Sequence, residues 1–86
     1  MYFVYVLQSL KDGRFYIGHC DHLLRRFKQH RDGENKSTKS RGPWWMPYYE
    51  IHPTRSAAMC REMELKRKKS AQSIQRIISI AGQNRE

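Results

Sequence analysis

Two tyrosines, an arginine, a histidine and a glutamate are the side chains of this sequence whose combination could act on a phosphate group. An arginine can neutralise phosphate charge, a carboxylate can bind a divalent ion, and hydroxyl groups can handle the proton of an attacking water. Each also has an ordinary explanation alone, since tyrosines pack across hairpins and a helix-end histidine interacts with the helix dipole. They predict a site only if the fold brings them together. These residues are Tyr5, Tyr16, Arg26, His30 and Glu62.

A β-hairpin must position the two tyrosines. Residues 2–8, "YFVYVLQ", and residues 15–20, "FYIGHC", are rich in aromatic and β-branched residues, with "KDG" between them. The Asp-Gly pair is a turn signal that supplies positive φ. If that pair is a two-residue loop, Tyr5 lies opposite Cys20, and one face of the hairpin carries both tyrosines. The residues predicted on this face are Tyr5, Leu7, Tyr16 and Gly18.

A helix follows the hairpin and carries the arginine and the histidine. Asp21 is a suitable N-cap for a helix over about residues 22–30, which the following Asp-Gly pair ends. Its inward stripe consists of Leu23, Phe27 and His30. Arg26 lies three residues after Leu23 and four residues before His30, so it is expected beside the inward face.

The chain then crosses a polar, cationic surface loop, residues 32–43, and enters a third strand, residues 44–52. Pro47 has no N–H to donate, so this strand is predicted to be an edge strand or a bulged one. Of the two tryptophans that open it, Trp44 and Trp45, one is expected in the core and the other at the rim.

A second helix places the glutamate. Thr54 is predicted to cap a helix over about residues 55–68, in which Ala58, Glu62 and Leu65 repeat at i, i+4 and i+7. Burying a carboxylate is costly unless a cation or a metal faces it, and Arg26 and His30 are candidates for that cation. The alternative is a slightly rotated helix in which Glu62 is exposed and pairs with Lys66.

A third helix, about residues 71–80, carries isoleucines that close the core, and the expected organisation is one domain over residues 1–81 with a flexible tail at 82–86.

Composition favours a nucleic-acid partner in the cytoplasm. The 86 residues carry 17 Lys and Arg against 8 Asp and Glu, a formal net charge of +9 with a pI near 10.0, and a polyanion is the expected counterpart. There is no long apolar run, and the N-terminus does not read as a signal peptide. The two cysteines are too few for a disulfide framework, and their spacing to the histidines matches no zinc motif.

The ordered motifs together resemble the GIY-YIG endonuclease family, most closely its small single-domain bacterial members of uncharacterised role. Phe3-Val4-Tyr5 occupies the "GIY" place, Tyr16-Ile17-Gly18 matches "YIG", "DHLLRRFKQH" is similar to the following helix, and "RSAAMCRE" is similar to the segment that ends in the metal-binding glutamate. The sequence departs from the family at Phe3, which replaces a glycine, and at His19 and Cys20, where small or polar residues are commoner. This leaves open whether a basic side chain after the YIG motif assists the chemistry.

The resemblance implies an α+β fold, a three-stranded antiparallel sheet flanked by three helices, that hydrolyses DNA phosphodiesters with one divalent cation, Mg²⁺ or Mn²⁺. Glu62 would bind the metal, Arg26 would neutralise the phosphate, and Tyr5, helped by Tyr16 or His30, would orient or deprotonate water. Because tyrosine is a poor base near neutral pH, nearby cations would have to lower its pKa. The residues expected to contact DNA are Arg25, Lys28, Lys36, Lys39, Arg41 and Lys66.

Most family nucleases gain target specificity from an attached DNA-binding domain, and none is expected in this sequence. It is therefore expected to select DNA structures, such as flaps, branches or nicked ends in repair or recombination, or to borrow specificity from a protein partner. Two alternatives stay open at this point. One is a basic nucleic-acid-binding module without turnover, and the other is an interaction subunit that docks through the tryptophan edge.

Overall fold

The computed structural model describes residues 1–33, 42–68 and 71–83. Three strands form one antiparallel sheet in the order β2-β1-β3: β1 Tyr2–Ser9, β2 Phe15–Cys20 and β3 Trp44–His52. Three helices flank it: α1 Leu23–Arg31, α2 Arg55–Arg67 and α3 Ala71–Gln83. The α+β architecture predicted from the sequence is therefore confirmed.

The register of the hairpin differs from the predicted one by two residues. Tyr5 lies opposite Gly18, not Cys20, because the connection is a four-residue loop and not the Asp-Gly pair alone. The Ser9 N–H donates to the Arg14 carbonyl at 2.9 Å and closes the strands there. The Ser9 hydroxyl accepts hydrogen bonds from two loop N–H groups at 3.1 and 3.2 Å, which stabilises the longer turn. A shift of two residues preserves the faces, so both tyrosines still share one face.

The first helix begins one residue later than predicted. The N-cap is His22, in an extended conformation, and its Nδ1 accepts the Arg25 N–H at 3.2 Å. Asp21 is therefore not the cap, and its carboxylate lies 3.4 Å from the Arg25 guanidinium instead. The helix also ends one residue later than predicted, at Arg31, and the predicted Asp-Gly signal stops it, since Gly33 has a φ of +78° just beyond its last turn.

The third strand is both an edge strand and a bulged one. It pairs with β1 alone among the described strands, and its register shifts between Val6 and Gln8, opposite the segment that holds Pro47. A proline without an N–H fits such a place. Trp44 is buried at 4% exposure and Trp45 is 46% exposed, so the predicted division of the two tryptophans is confirmed.

Helix α2 is fixed at its start and along its middle. The Thr54 hydroxyl accepts the Ala57 N–H at 3.1 Å, which confirms the predicted cap. The Arg61 Nε then donates to both carboxylate oxygens of Glu50 on β3 at 3.0 Å. This half-buried pair joins the helix to the sheet at the residue before Glu62.

Apolar side chains pack on both faces of the sheet. One core cluster joins β1 and β2 to α2 and α3, and the other joins the same strands to α1. The first contains Val4, Val6, Ile17, Ala58, Leu65 and Ile74, and the second contains Tyr5, Leu7, Cys20 and Trp44. The sheet is therefore a central layer with α1 on one face and the other two helices on the opposite face.

Helix α3 continues to Gln83, beyond its predicted end at about residue 80. Residues 84–86 lie outside the described part of the chain. The predicted domain boundary at residue 81 and the predicted flexible tail therefore stay predictions. Within the described ranges no helix is long and apolar enough to cross a membrane. The two cysteines are free thiols, Cys20 buried and Cys60 exposed.

Candidate active site

A polar cavity of about 340 Å³ opens at the edge of the sheet formed by β2. Because β2 pairs only with β1 among the described strands, side chains from α1 on one face and α2 on the other can meet around this edge. Four of the five residues predicted for catalysis line this cavity, and the fifth, His30, hydrogen-bonds to one of them. The lining residues are Tyr5, Tyr16, Gly18, His19, Cys20, Asp21, Arg26, Arg55 and Glu62.

Tyr5 and His30 form a buried hydrogen-bonded pair behind the cavity. The Tyr5 hydroxyl lies 2.9 Å from His30 Nε2, and neither residue is more than 2% exposed. Burial, followed by the positive charge of Arg26, lowers the pKa of His30 from 6.5 to about 4. The imidazole is therefore neutral near pH 7, with a proton on one ring nitrogen and a lone pair on the other.

The expectation that nearby cations lower the pKa of Tyr5 is wrong. Burial raises the pKa of this phenol well above its ordinary value, the Tyr16 phenol adds to the rise, and the opposing effect of Arg26 is smaller. Tyr5 is thus protonated near neutral pH. A protonated phenol both donates and accepts hydrogen bonds, so beside its bond to His30 the hydroxyl can still hydrogen-bond to a water in the cavity.

Gly18 is required by the close approach of the Tyr5 ring. A Cβ at this position would lie 2.5 Å from the Tyr5 hydroxyl oxygen and 2.7 Å from its ring carbon Cζ, which is closer than real Cβ contacts come. Tyr16 completes the aromatic group, with its ring centroid 6.5 Å from that of Tyr5 and 5.0 Å from that of His30. The glycine of the "YIG" segment therefore sets the position of the first tyrosine.

Glu62 faces inward and is paired at both oxygens. Its side chain is only 16% exposed, with Oε1 2.5 Å from His19 Nδ1 and Oε2 2.6 Å from Lys66 Nζ. Burial acts to raise the pKa of Glu62, but the hydrogen bonds from Lys66 and His19 outweigh it and hold the pKa below its usual value. Both interpretations of the sequence are thus partly right, because the carboxylate is largely buried and also pairs with Lys66.

His19 is a member of the site that the sequence did not assign. The partners of the Glu62 carboxylate are His19 and Lys66, where the sequence indicated Arg26 and His30. Since an ionised carboxylate only accepts hydrogen bonds, His19 Nδ1 must carry the proton. The alternation of side chains along β2 could have predicted this placement, because His19 lies opposite Val4 and so projects from the face of the sheet that α2 covers.

The comparisons with known proteins agree with this geometry. The family model described as "GIY-YIG catalytic domain" matches residues 1–75. The chain belongs to the GIY-YIG family. A GIY-YIG domain is typically an endonuclease, so membership indicates a nuclease domain with DNA as its substrate. The resemblance stated from the sequence is confirmed.

The GIY-YIG relatives include small proteins of similar length. The chain is 35% identical over 66 residues to a UPF0213 protein of Staphylococcus saprophyticus, and this aligned region covers 76% of this chain and 79% of that protein. It is 36% identical over 66 residues to a UPF0213 protein of Haloquadratum walsbyi, and this aligned region covers 76% of this chain and 73% of that protein. The solution NMR structure of a UPF0213 protein from Bacillus halodurans superposes with a TM-score of 0.58 at 33% identity, over 93% of this chain and 85% of that one.

The cations predicted to contact DNA differ in how they are placed around the GIY-YIG site. Arg25 and Lys28 are exposed on α1, and Lys66 is about half exposed but hydrogen-bonded to Glu62. A further cation, Arg55, lines the cavity and stacks over the Tyr2 ring at 4.8 Å. It is the first residue after the Thr54 cap, a position that sequence patterns do not distinguish. Lys36, Lys39 and Arg41 lie outside the described residues.

The donor set of the GIY-YIG cavity fits one hard divalent ion. Glu62 is ionised, and Mg²⁺ in proteins is commonly bound by one or two carboxylates while it keeps several waters. Asp21 is a second carboxylate that lines the cavity. Over the described residues no group of three or more His, Cys, Asp or Glu side chains is arranged as a metal cage. An ion bound at Glu62 would therefore complete its coordination shell with water.

Proposed function

We propose that this chain is a divalent-metal-dependent endonuclease that hydrolyses DNA phosphodiester bonds, with Tyr5, Tyr16, Arg26, His30 and Glu62 as its catalytic residues. The observation that carries the proposal is the convergence of four of these side chains on one polar cavity, backed by the Tyr5–His30 hydrogen bond. They come from β1, β2, α1 and α2, so chain proximity does not explain their meeting.

Each residue has a role that its surroundings support. Arg26 lines the cavity as a half-buried cation and would offset the charge of the scissile phosphate. Tyr5 is held by its hydrogen bond to His30 and lines the cavity, so its hydroxyl would hydrogen-bond to the attacking water and orient it. Glu62 would hold Mg²⁺ or Mn²⁺, and the bound ion would supply Lewis-acid stabilisation of the phosphate.

Lys66 has two compatible roles in this proposal. Its ammonium group neutralises Glu62 in the metal-free protein, and a divalent ion on the carboxylate would free it to reach a phosphate. Its side chain is 53% exposed, so it can turn toward solvent without disturbing the core. Together with Arg25, Lys28 and the cations of the segment before β3, it would bind the DNA backbone.

The basic surface favours selection of DNA structure over base sequence. Phosphate contacts by Lys and Arg position a strand but carry no sequence information. We propose that this protein acts on flaps, branches or nicked ends in DNA repair or recombination, alone or with a protein partner that supplies specificity.

The proposal is tested with supercoiled and branched DNA incubated with Mg²⁺ or Mn²⁺. Glu62→Gln and Arg26→Ala should each slow cleavage by about 10²-fold or more. Glu64→Gln is the matched control on the same helix, because that carboxylate is 62% exposed and, among the described residues, its ion pair is a 3.7 Å contact with Arg61. It should cleave like the wild type.

Two outcomes would overturn the proposal. Equal cleavage by the wild type, Glu62→Gln and Arg26→Ala would mean that another site or a contaminant cuts the DNA. Salt-sensitive binding by all three proteins without any cleavage would identify a binding module that has lost turnover.

A further inference from the structure

A second cavity, about 620 Å³ in volume and mostly apolar, opens beside the candidate active site. Its walls come from the hairpin loop and the first half of β2 on one side, and from the end of α2 and the start of α3 on the other. The residues that shape it include Phe15, Ile17, Leu65, Ala71 and Ile74. None of the proposed catalytic roles uses this space, except that Tyr16 borders it.

The two cavities are neighbours along one surface. Tyr16 lines both of them. Lys66 lines the apolar cavity and hydrogen-bonds at 2.6 Å to Glu62, which lines the polar one. A DNA strand with a phosphate in the polar cavity would therefore carry its adjacent nucleotide to the mouth of the apolar cavity.

The chemistry of this cavity fits a nucleobase with its phosphate. Phe15, which projects from the same face of the sheet as Ile17, supplies aromatic surface at one wall, on which a base can stack. Arg14 and Lys66 are exposed cations at the lining, where a phosphate would lie, and among the described lining residues the one acidic side chain is Asp12. An uncharged apolar ligand would gain nothing from those cations.

We propose that this cavity binds an unpaired nucleotide of the DNA substrate, adjacent to the phosphate that is cut. The inference rests on the proposed nuclease function and names its substrate class. A base held in a duplex cannot enter without unstacking and unpairing, which costs least when the base is already unpaired. The cavity thus selects flaps, bulges and branches over continuous duplex.

Binding of flap DNA in EDTA, where no cleavage occurs, tests the inference. Two otherwise identical flaps are compared, one with a base and one with an abasic residue at the unpaired position next to the junction. Stacking of one base corresponds to roughly a 5- to 150-fold gain in affinity, so the wild type should prefer the base-containing flap by a factor in that range.

Ala71→Trp should abolish the preference by filling the cavity, because Ala71 is exposed and lines it. Ser79→Trp places the same bulk on an exposed position of the same helix outside the cavity and should keep the preference. Arg14→Gln removes a lining cation without adding bulk and should weaken binding of both flaps. Should Ala71→Trp not fold, the comparison of the two flaps by the wild type still tests the inference.

The inference is overturned if the wild type binds the two flaps alike, or if folded Ala71→Trp retains the preference for the base. These outcomes are distinct from failure of the nuclease proposal. DNA cleavage without any base preference would refute the cavity assignment alone, whereas base preference without cleavage would refute the enzyme and keep the nucleotide site.

Discussion

Acidification should weaken the folding of this protein through His30. The side chain is 1% exposed, and burial, followed by the charge of Arg26, lowers its pKa from 6.5 to about 4. The unfolded chain therefore binds a proton on this ring more readily than the folded protein does. The contribution of the buried, neutral His30 ring to the free energy of unfolding is fully present above about pH 6.5. It decreases as the pH falls from about 6.5 to about 4, and below about pH 4 it changes no further. At about 1.4 kcal/mol per pH unit, the total loss is on the order of 3 kcal/mol.

Urea unfolding followed by tryptophan fluorescence measures this effect, since Trp44 is buried in the core cluster that contains Tyr5. The wild type is compared with His30→Gln at several values between about pH 7 and about pH 4.5. Glutamine can still hydrogen-bond to Tyr5 but does not titrate, and the carboxylates are expected to titrate alike in both proteins. The wild type should lose more stability than the variant by roughly 2 to 3 kcal/mol over this range. Parallel loss in the two proteins would refute the assignment of a buried, neutral His30.

Three further predictions concern the approach of Tyr5 to Gly18, the support of Glu62 and the binding of DNA. Gly18→Ala should destabilise the fold by about 1 to 3 kcal/mol in thermal melts and abolish cleavage, because its Cβ would displace the Tyr5 phenol. Gly13→Ala, at a φ of +76° with nothing within 4 Å of its Cβ, should cost about 1 to 2 kcal/mol but leave Tyr5 in place, so it should not abolish cleavage by the folded protein. His19→Ala should weaken Mn²⁺ binding and cleavage by roughly 10-fold or more, because it removes the hydrogen bond between His19 and Glu62. His19→Asn should restore part of both the binding and the cleavage. Unchanged Mn²⁺ binding in His19→Ala would contradict this prediction. DNA affinity should fall steeply with salt in filter-binding titrations because the chain carries a net charge of +9, and a flat salt response would contradict phosphate binding.

Periodicity was sufficient to predict the inward placement of distant residues. The i, i+4, i+7 stripe of α2 put Glu62 between two side chains that the structure buries completely, Ala58 and Leu65. The stripe of α1 likewise predicted that His30 faces inward, and it is 1% exposed. Both predictions use only the geometry of a helix against a sheet, which sequence spacing encodes directly.

Features that depend on atoms outside one element were not predictable in the same way. The hairpin register was wrong because the Ser9 hydroxyl stabilises a four-residue loop, and a turn signal does not specify loop length. The direction of the Tyr5 pKa was wrong because burial outweighs the nearby arginine, and the depth of burial follows from the packing of α1. The bond between His19 and Glu62 joins residues 43 positions apart and required the relative placement of β2 and α2.

The claim that Tyr5 and Glu62 belong to one catalytic unit is tested most directly by a double-mutant cycle on single-turnover cleavage of flap DNA with Mg²⁺. Tyr5→Phe, Glu62→Gln and the double variant are compared with the wild type, with the folded state of each verified by its melting curve. Residues that act as a unit lose their effect together. We predict that the double variant is about as slow as the slower single variant. Rates that fall by the product of the two single effects, or a Glu62→Gln protein that cleaves like the wild type, would contradict a shared site.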